Sequence, residues 1–305
     1  MNGPAAIKAD AYLDRVLTAP APASAATLAG VLADRFPGAA IFLYGSGISV
    51  SAVEDPTHIL FDFYVIAPNY RDAIKHPAER LAARLLPPNV YYLEAETEFG
   101  RLRCKYALLS VNAFEKLVSA RTFHSYFWAR FAQPSRLVVC PRDMHARMIA
   151  AVRTSIETFL QAAQGLAESP HDWREVWLAG LNASYRAELR AEASDRAEKL
   201  IDHYGGWPKD VAGFARSSPA GGSSAAIGIW RARAVFGGAL SIARLLKATA
   251  TFRGGLDYIA WKVKRHAGVD VGVKPWERRL PLLAAPIVAL RYYRLRRASR
   301  KSRGG

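Results

Sequence analysis

Ala40-Ile41-Phe42-Leu43-Tyr44-Gly45-Ser46-Gly47, followed by Leu60-Phe61-Asp62-Phe63-Tyr64-Val65-Ile66, decides how this chain is read. The first stretch is an apolar run of strand length that stops at glycine, which predicts a buried strand entering a tight turn. The second belongs to His58–Ile66, which alternates. Ile59, Phe61, Phe63 and Val65 fall on one face, and Leu60, Asp62, Tyr64 and Ile66 on the other. Asp62 is therefore a carboxylate in the middle of a strongly apolar strand. The turn before it offers close backbone approach, free amides and a hydroxyl, the ingredients of a phosphate cradle, although the same triad also serves as an ordinary turn.

Outward from this pair, helical spacing at Leu28, Val31, Leu32 and Phe36 ends on Pro37-Gly38. Tyr70 to Leu86 predicts one amphipathic helix closed by Pro87-Pro88, and Val90 to Ser110 predicts two strands around Phe99-Gly100. Asn112 with Glu115 three residues on predicts a capped helix start, and Leu137 to Cys140 a last short strand. Residues 1–140 thus read as one α/β domain with a mixed sheet. From Arg142 the strand signal disappears, and Ala150–Leu166 and Ala183–Tyr204 read as helices of a second domain over 141–216. The Ser, Gly and Pro composition of 217–228 predicts a flexible linker. Residues 229–305 remain as a basic amphipathic segment, with helices expected at Trp230–Ala248 and Leu256–His266.

The formal charge of +16 is concentrated there, since residues 1–226 carry net +1 and residues 227–305 net +15. Arg291, Arg294, Arg296, Arg297, Arg300, Lys301 and Arg303 stand in a stretch without acids. Such a segment seeks a polyanion. Leu282, Leu283, Ile287, Val288, Leu290, Tyr292 and Tyr293 lie beside these cations, a mixture suited to a headgroup layer with arginines reaching outward; the other reading is a terminal helix docked on the protein. No specific nucleic acid is expected, since such a tail needs no apolar load. Two cysteines, Cys104 and Cys140, form neither a disulfide framework nor a zinc spacing and suit a reducing compartment. Leu280 to Leu290 is an apolar run of 11 residues containing two prolines, against about 20 for a bilayer span. No spanning helix and no secretory signal are expected, and the chain reads as cytoplasmic, attached peripherally to the inner face of the membrane.

A glycine-serine turn leading to a strand carboxylate matches the nucleotidyltransferase pattern, in which serine and glycine hold a triphosphate and acidic residues hold Mg2+. The usual second carboxylate, two positions on, is here Tyr64. Glu94, Glu96 and Glu98 share one face of their strand and could supply it. If Phe99-Gly100 is a two-residue turn, they lie opposite Lys105, Arg103 and Arg101, and a solvated charge ladder explains all six residues equally well. The histidines show no metal pair on a helix, and no glycine-flanked serine nucleophile is present. Trp173 and Trp177 read as core.

Three stretches resemble the mitochondrial translocator assembly and maintenance type of phosphatidate cytidylyltransferase (CDP-diacylglycerol synthase), which has bacterial relatives. They are Phe42–Gly47 with Phe61-Asp62-Phe63; then Asn89–Tyr92, Lys105–Ser110 and Tyr126–Pro134; and Leu178–Tyr185. Ala129 stands where that family usually has glycine, and Gln133 where it has lysine. The likeness covers roughly residues 40–190. It implies a nucleotidyltransferase domain, a helical winged-helix-like domain, and a C-terminal segment that reaches lipid. It further implies transfer of CMP from CTP to phosphatidic acid with Mg2+. Gly45, Ser46 and Gly47 would hold the β- and γ-phosphates, Asp62 the metal with Glu94 as the candidate second ligand, and Lys105 and Arg130 would clamp the substrates. Tyr185 and Arg190 are further candidates from the second domain. The alternatives are a nucleotidyltransferase acting on nucleic acid or a small molecule, and a catalytically silent membrane scaffold.

Overall fold

The apolar run and the alternating run become antiparallel neighbours near the centre of a five-stranded mixed sheet. The computed structural model describes residues 4–49, 55–188, 196–214 and 222–251, with 272, 274–279, 287, 290, 291 and 294 beyond them. In chain order α1 (Pro4–Leu17) and α2 (Ala23–Arg35) lead into β1 (Ala40–Tyr44), which ends in a 3-10 turn at Gly45–Ser49. β2 (Leu60–Ala67), α3 (Tyr70–Ala73), α4 (Pro77–Leu85), β3 (Asn89–Thr97) and β4 (Gly100–Ser110) follow. Then come α5 (Val111–Leu117), α6 (Tyr126–Phe131) and β5 (Ser135–Val139). The helical part comprises α7 (Arg142–Gln164), α8 (Trp173–Ala187), α9 (Arg196–His203), α10 (Trp207–Asp210), α11 (Ser224–Thr251) and α12 (Pro275–Arg279).

The strand order is β3-β4-β2-β1-β5. β2 pairs antiparallel with β1 and parallel with β4, which makes the sheet mixed. Its alternation divides the core. Phe61, Phe63 and Val65 pack with Leu28 and Leu32 of α2, whereas Tyr64 and Ile66 pack with α6 and α7 on the other face. The latter cluster continues without a break through Phe159 and Trp177 to Trp230. Three of its indoles find acceptors, Trp128 donating to Thr122 O, Trp207 to Ala132 O and Trp230 to Ala162 O, whereas the buried Trp177 Nε1 has none.

Several local expectations change. The single helix read over Tyr70–Leu86 is two short ones, because Pro77 holds His76 in extended backbone (φ −82°, ψ 125°). Ser110 rather than Asn112 caps α5, its hydroxyl accepting from Ala113 N, and Asn112 and Glu115 instead bind Arg147. The helix read over Ala183–Tyr204 falls on α8, started by Asp172, and on α9. Helix α11 begins inside the expected linker, at Ser224. The helix expected at Leu256–His266 lies outside the described residues. Arg291, read without an acidic partner, bonds Glu277 through both amino groups.

Helix α11 is docked with three of its four basic residues inward, Arg231 being exposed. Arg233 donates to Phe123 O and lies over the rings of Trp128 and Trp230, while Arg244 donates to Pro87 O and lies 4.5 Å over Tyr126. The Lys247 ammonium reaches Leu86 O, Pro88 O and Asn89 Oδ1. Gly237 lets the helix approach α8, since a Cβ there would stand 2.5 Å from Ala187 O. The apolar side chains Val235 (78% exposed) and Ile242 (54%) face outward. Among the described residues no helix is long and apolar enough to cross a membrane.

His124 lies beneath this helix, its Nε2 3.5 Å from Arg244 Nη2. Burial, and then the Arg244 charge, lower its pKa from 6.5 to about 4. Between those values the unfolded chain binds a proton that the folded chain does not, so stability falls as the pH drops from 6.5 towards 4. His124→Gln is expected to flatten that part of the stability profile, measured as the guanidinium midpoint against pH. Parallel profiles for the two proteins would contradict the assignment.

Candidate functional site

A cavity of about 730 Å3 opens where β1 ends and β2 and β5 begin. Gly45, with φ +74°, turns the chain there at the end of β1, and a Cβ on it would lie 3.8 Å from Asp62 Oδ2. Antiparallel pairing sets Asp62 opposite Tyr44, the residue before that turn. Parallel pairing sets it beside Lys105, whose Nζ lies 3.1 Å from Asp62 Oδ1. That oxygen is buried and accepts no hydrogen bond. The Ser46 side chain is outside the described residues.

The β3–β4 hairpin turns on Glu98-Phe99, not on Phe99-Gly100. Gly100, at φ +84°, pairs with Thr97 and makes the reversal, so Glu94 faces Arg103, Glu96 faces Arg101 and Tyr92 faces Lys105. A shift of two residues keeps every side chain on its face and changes only its neighbour. Glu94 is thereby committed to Arg103 at 3.0 Å and to the Tyr92 hydroxyl at 2.6 Å, and it does not line the cavity. Glu96 pairs with Arg101, and Glu98 accepts from Thr27. The charge ladder exists, but Lys105 is not part of it. None of the three glutamates is brought to Asp62.

Arg130 enters from α6. Its guanidinium lies between the rings of Tyr44 (5.2 Å) and Tyr126 (5.5 Å), and Nη2 is 3.5 Å from Glu188 Oε2. Burial opposes the charge, but Tyr64, Glu188, Tyr126 and Tyr44 outweigh it and hold the pKa above the ordinary guanidinium value. Tyr64 lies in the core two residues past Asp62, its ring 4.9 Å from Tyr44, its hydroxyl buried without a hydrogen bond, and burial raises its pKa. The position that could have carried a second carboxylate is thus filled by packing.

The far wall comes from the helical part. Tyr185, Arg196, His203 and Tyr204 line it, and Tyr204 donates to Gln133 Oε1 at 2.6 Å. Gln133 also donates to Ala129 O, so both ends of its amide are engaged. Arg190 lies outside the described residues. Arg136 of β5 also lines the cavity. Sequence reasoning missed Arg136, Arg196, His203 and Tyr204. Only β5 and α9 bring them together, and no local motif marks them.

Among the described residues the cavity is lined by four cations, Lys105, Arg130, Arg136 and Arg196, and one carboxylate, Asp62. Such a lining suits a ligand with several phosphate charges. Among the described residues no three His, Cys, Asp or Glu side chains gather as a metal site. Mg2+ commonly takes one or two carboxylates and completes its shell with water and substrate phosphates. Asp62 Oδ1, paired with Lys105 but accepting no hydrogen bond, fits that use. The chain matches no model of a known protein family and none of the curated proteins with which it was compared.

Proposed function

We propose that the protein is a phosphatidate cytidylyltransferase. It transfers CMP from CTP to phosphatidic acid at an anionic membrane surface, using a nucleotidyltransferase-type domain followed by a winged-helix-like one. The observation that carries this reading is the Asp62–Lys105 pair beside the Gly45 turn, in a cavity also lined by Arg130, Arg136 and Arg196. Its resemblance to the family named above supplies the nucleotide and the acceptor.

Asp62 would hold Mg2+, which offsets the charge of the triphosphate when bound. Lys105 fixes the carboxylate and is within reach of a phosphate once the metal takes its place. Gly45, Ser46 and Gly47 would carry the β- and γ-phosphates along their backbone. An oxygen of the lipid phosphate attacks the α-phosphorus, the bond to the β-phosphate oxygen breaks, and pyrophosphate leaves with the electron pair. The attacking phosphate is already an anion, so no strong general base is required. Arg130, held by two tyrosine rings and Glu188, presents a fixed charge to one of the two substrates. Tyr185 and the α9 side chains close the cavity over them.

The outward apolar face of α11 supports a membrane reading. Arg233, Arg244 and Lys247 are used on the protein, which leaves Val235, Phe236 and Ile242 for the interface. The basic residues beyond α11 add attraction to an anionic surface, roughly 1 kcal/mol each when close to it. The lone carboxylate favours a second reading, a silent scaffold that binds lipid without catalysis.

Asp62→Ala is expected to reduce formation of the CDP-lipid from CTP and phosphatidic acid in Mg2+ by about a hundredfold or more, and Glu94→Gln by less than about threefold. Equal losses in the two variants would contradict the assignment, and no product from the wild type would leave the scaffold reading. In a separate test, Val235→Asp combined with Ile242→Asp should lower the fraction sedimenting with phosphatidate-containing vesicles without changing the melting temperature. An undiminished bound fraction would remove α11 from the interface.

A further inference from the structure

Among the described residues Arg136 is a half-buried charge without an acidic partner. It sits on β5 opposite Leu43, with Ser135 opposite Tyr44, so it flanks the end of β1 on the side away from Asp62. Its side chain is half-buried and lines the cavity with Gly45 and Ile48 of the turn. Among the described residues it has no carboxylate partner and no aromatic ring beneath it, and its Nη1 donates only to the neighbouring Ser135 O. The other cations nearby are differently placed. Lys105 has Asp62, and Arg130 has Glu188 and two tyrosines. Burial alone lowers the Arg136 pKa, as expected for a desolvated charge without compensation. Such a group lowers stability unless something outside the chain pairs with it, and uncompensated charges in clefts mark binding sites.

The chemistry of the partner follows from position. β2 and β5 flank β1, and the pairings of Asp62 with Tyr44 and of Arg136 with Leu43 start the two side chains from opposite faces of the sheet at the end of β1, where both reach the cavity beside the Gly45 turn. A polyphosphate lying along that turn has its metal-bearing part towards Asp62 and its far end towards Arg136. A guanidinium presents two parallel donors to a phosphate and keeps its charge at every working pH.

We infer that Arg136 binds the terminal phosphates of the nucleoside triphosphate and hence the pyrophosphate that departs. This rests on the nucleotidyl-transfer reading above and adds to it the residue that meets the leaving group. As the acceptor phosphate oxygen bonds to the α-phosphorus and the bond to the β-phosphate oxygen breaks, the electron pair and the new negative charge go to pyrophosphate. Arg136 is the cation that faces it.

The test uses the full chain with Arg136→Met, which keeps the length of the side chain and removes its charge, and Arg136→Lys, which keeps the charge and removes the fork. Binding of inorganic pyrophosphate, tripolyphosphate and CMP in Mg2+ is measured by calorimetry, with melting temperatures beside it. The expected result is a loss of about tenfold or more in pyrophosphate and tripolyphosphate affinity for the Met variant, with Lys intermediate. CMP affinity should be unchanged, and the melting temperature of the Met variant should be equal to the wild type or higher. Equal pyrophosphate affinity in wild type and Met variant would overturn the inference, as would a wild type that binds no pyrophosphate. A Met variant that melts lower and loses CMP as well would show a structural role and overturn it too. If Arg136 governs pyrophosphate binding but no CDP-lipid forms, the inference stands and the choice of substrates falls.

Discussion

The pairing of β2 with two strands of opposite sense is the constraint on which the rest depends. Its antiparallel edge on β1 brings Asp62 to the Gly45 turn, and its parallel edge on β4 brings Lys105 to Asp62. Neither contact is local in sequence. A one-residue slip on either edge would move Asp62 to the face occupied by Phe61 and Phe63, burying a carboxylate among aliphatic and aromatic side chains. The apolar alternation of β2 therefore fixes the register of the site as well as the core. The charge is tolerated mid-strand because Lys105 stands beside it and the cavity lies in front of it.

Around this pair the protein keeps most of its buried cations against aromatic rings and backbone carbonyls. Tyr126 is contacted by Arg130 of the cavity and by Arg244 of α11. Each such cation–ring contact contributes roughly 0.5–2 kcal/mol, more where water is excluded. The stack joins α11 to the cavity wall through a single side chain. The end of α11 is thus part of the body that shapes the cavity, while its outer face remains apolar. Helix α11 meets the start of the hairpin at the backbone of Pro87 and Pro88, where Arg244 and Lys247 find their acceptors.

Much of the sheet was legible because period-2 alternation and apolar runs act locally. β1, β2, β4 and β5 lie close to where the pattern sets them, and the carboxylate at Asp62 stood out because it breaks an apolar strand. The partner of Lys105 was not legible. It depends on where a hairpin turns, and Gly100, rather than the Phe99-Gly100 pair, closes it. Helix α1 was missed although Ala9, Leu13 and Leu17, four apart, form a buried stripe along it. The sense of α11 was missed for a related reason: arginines are read as outward by default, whereas Trp128, Trp230 and Tyr126 offer them faces inside. Arg136, Arg196 and His203 carry no motif, and only assembly gathers them.

The central claim is that this cavity transfers a nucleotide to a lipid phosphate. The measurement that tests it most directly is pyrophosphate release from each of the four nucleoside triphosphates in Mg2+, with and without phosphatidic acid in mixed micelles. The account predicts release only when CTP and the lipid are both present. Release that is independent of the lipid, equal release from all four nucleotides, or none under any condition would contradict it.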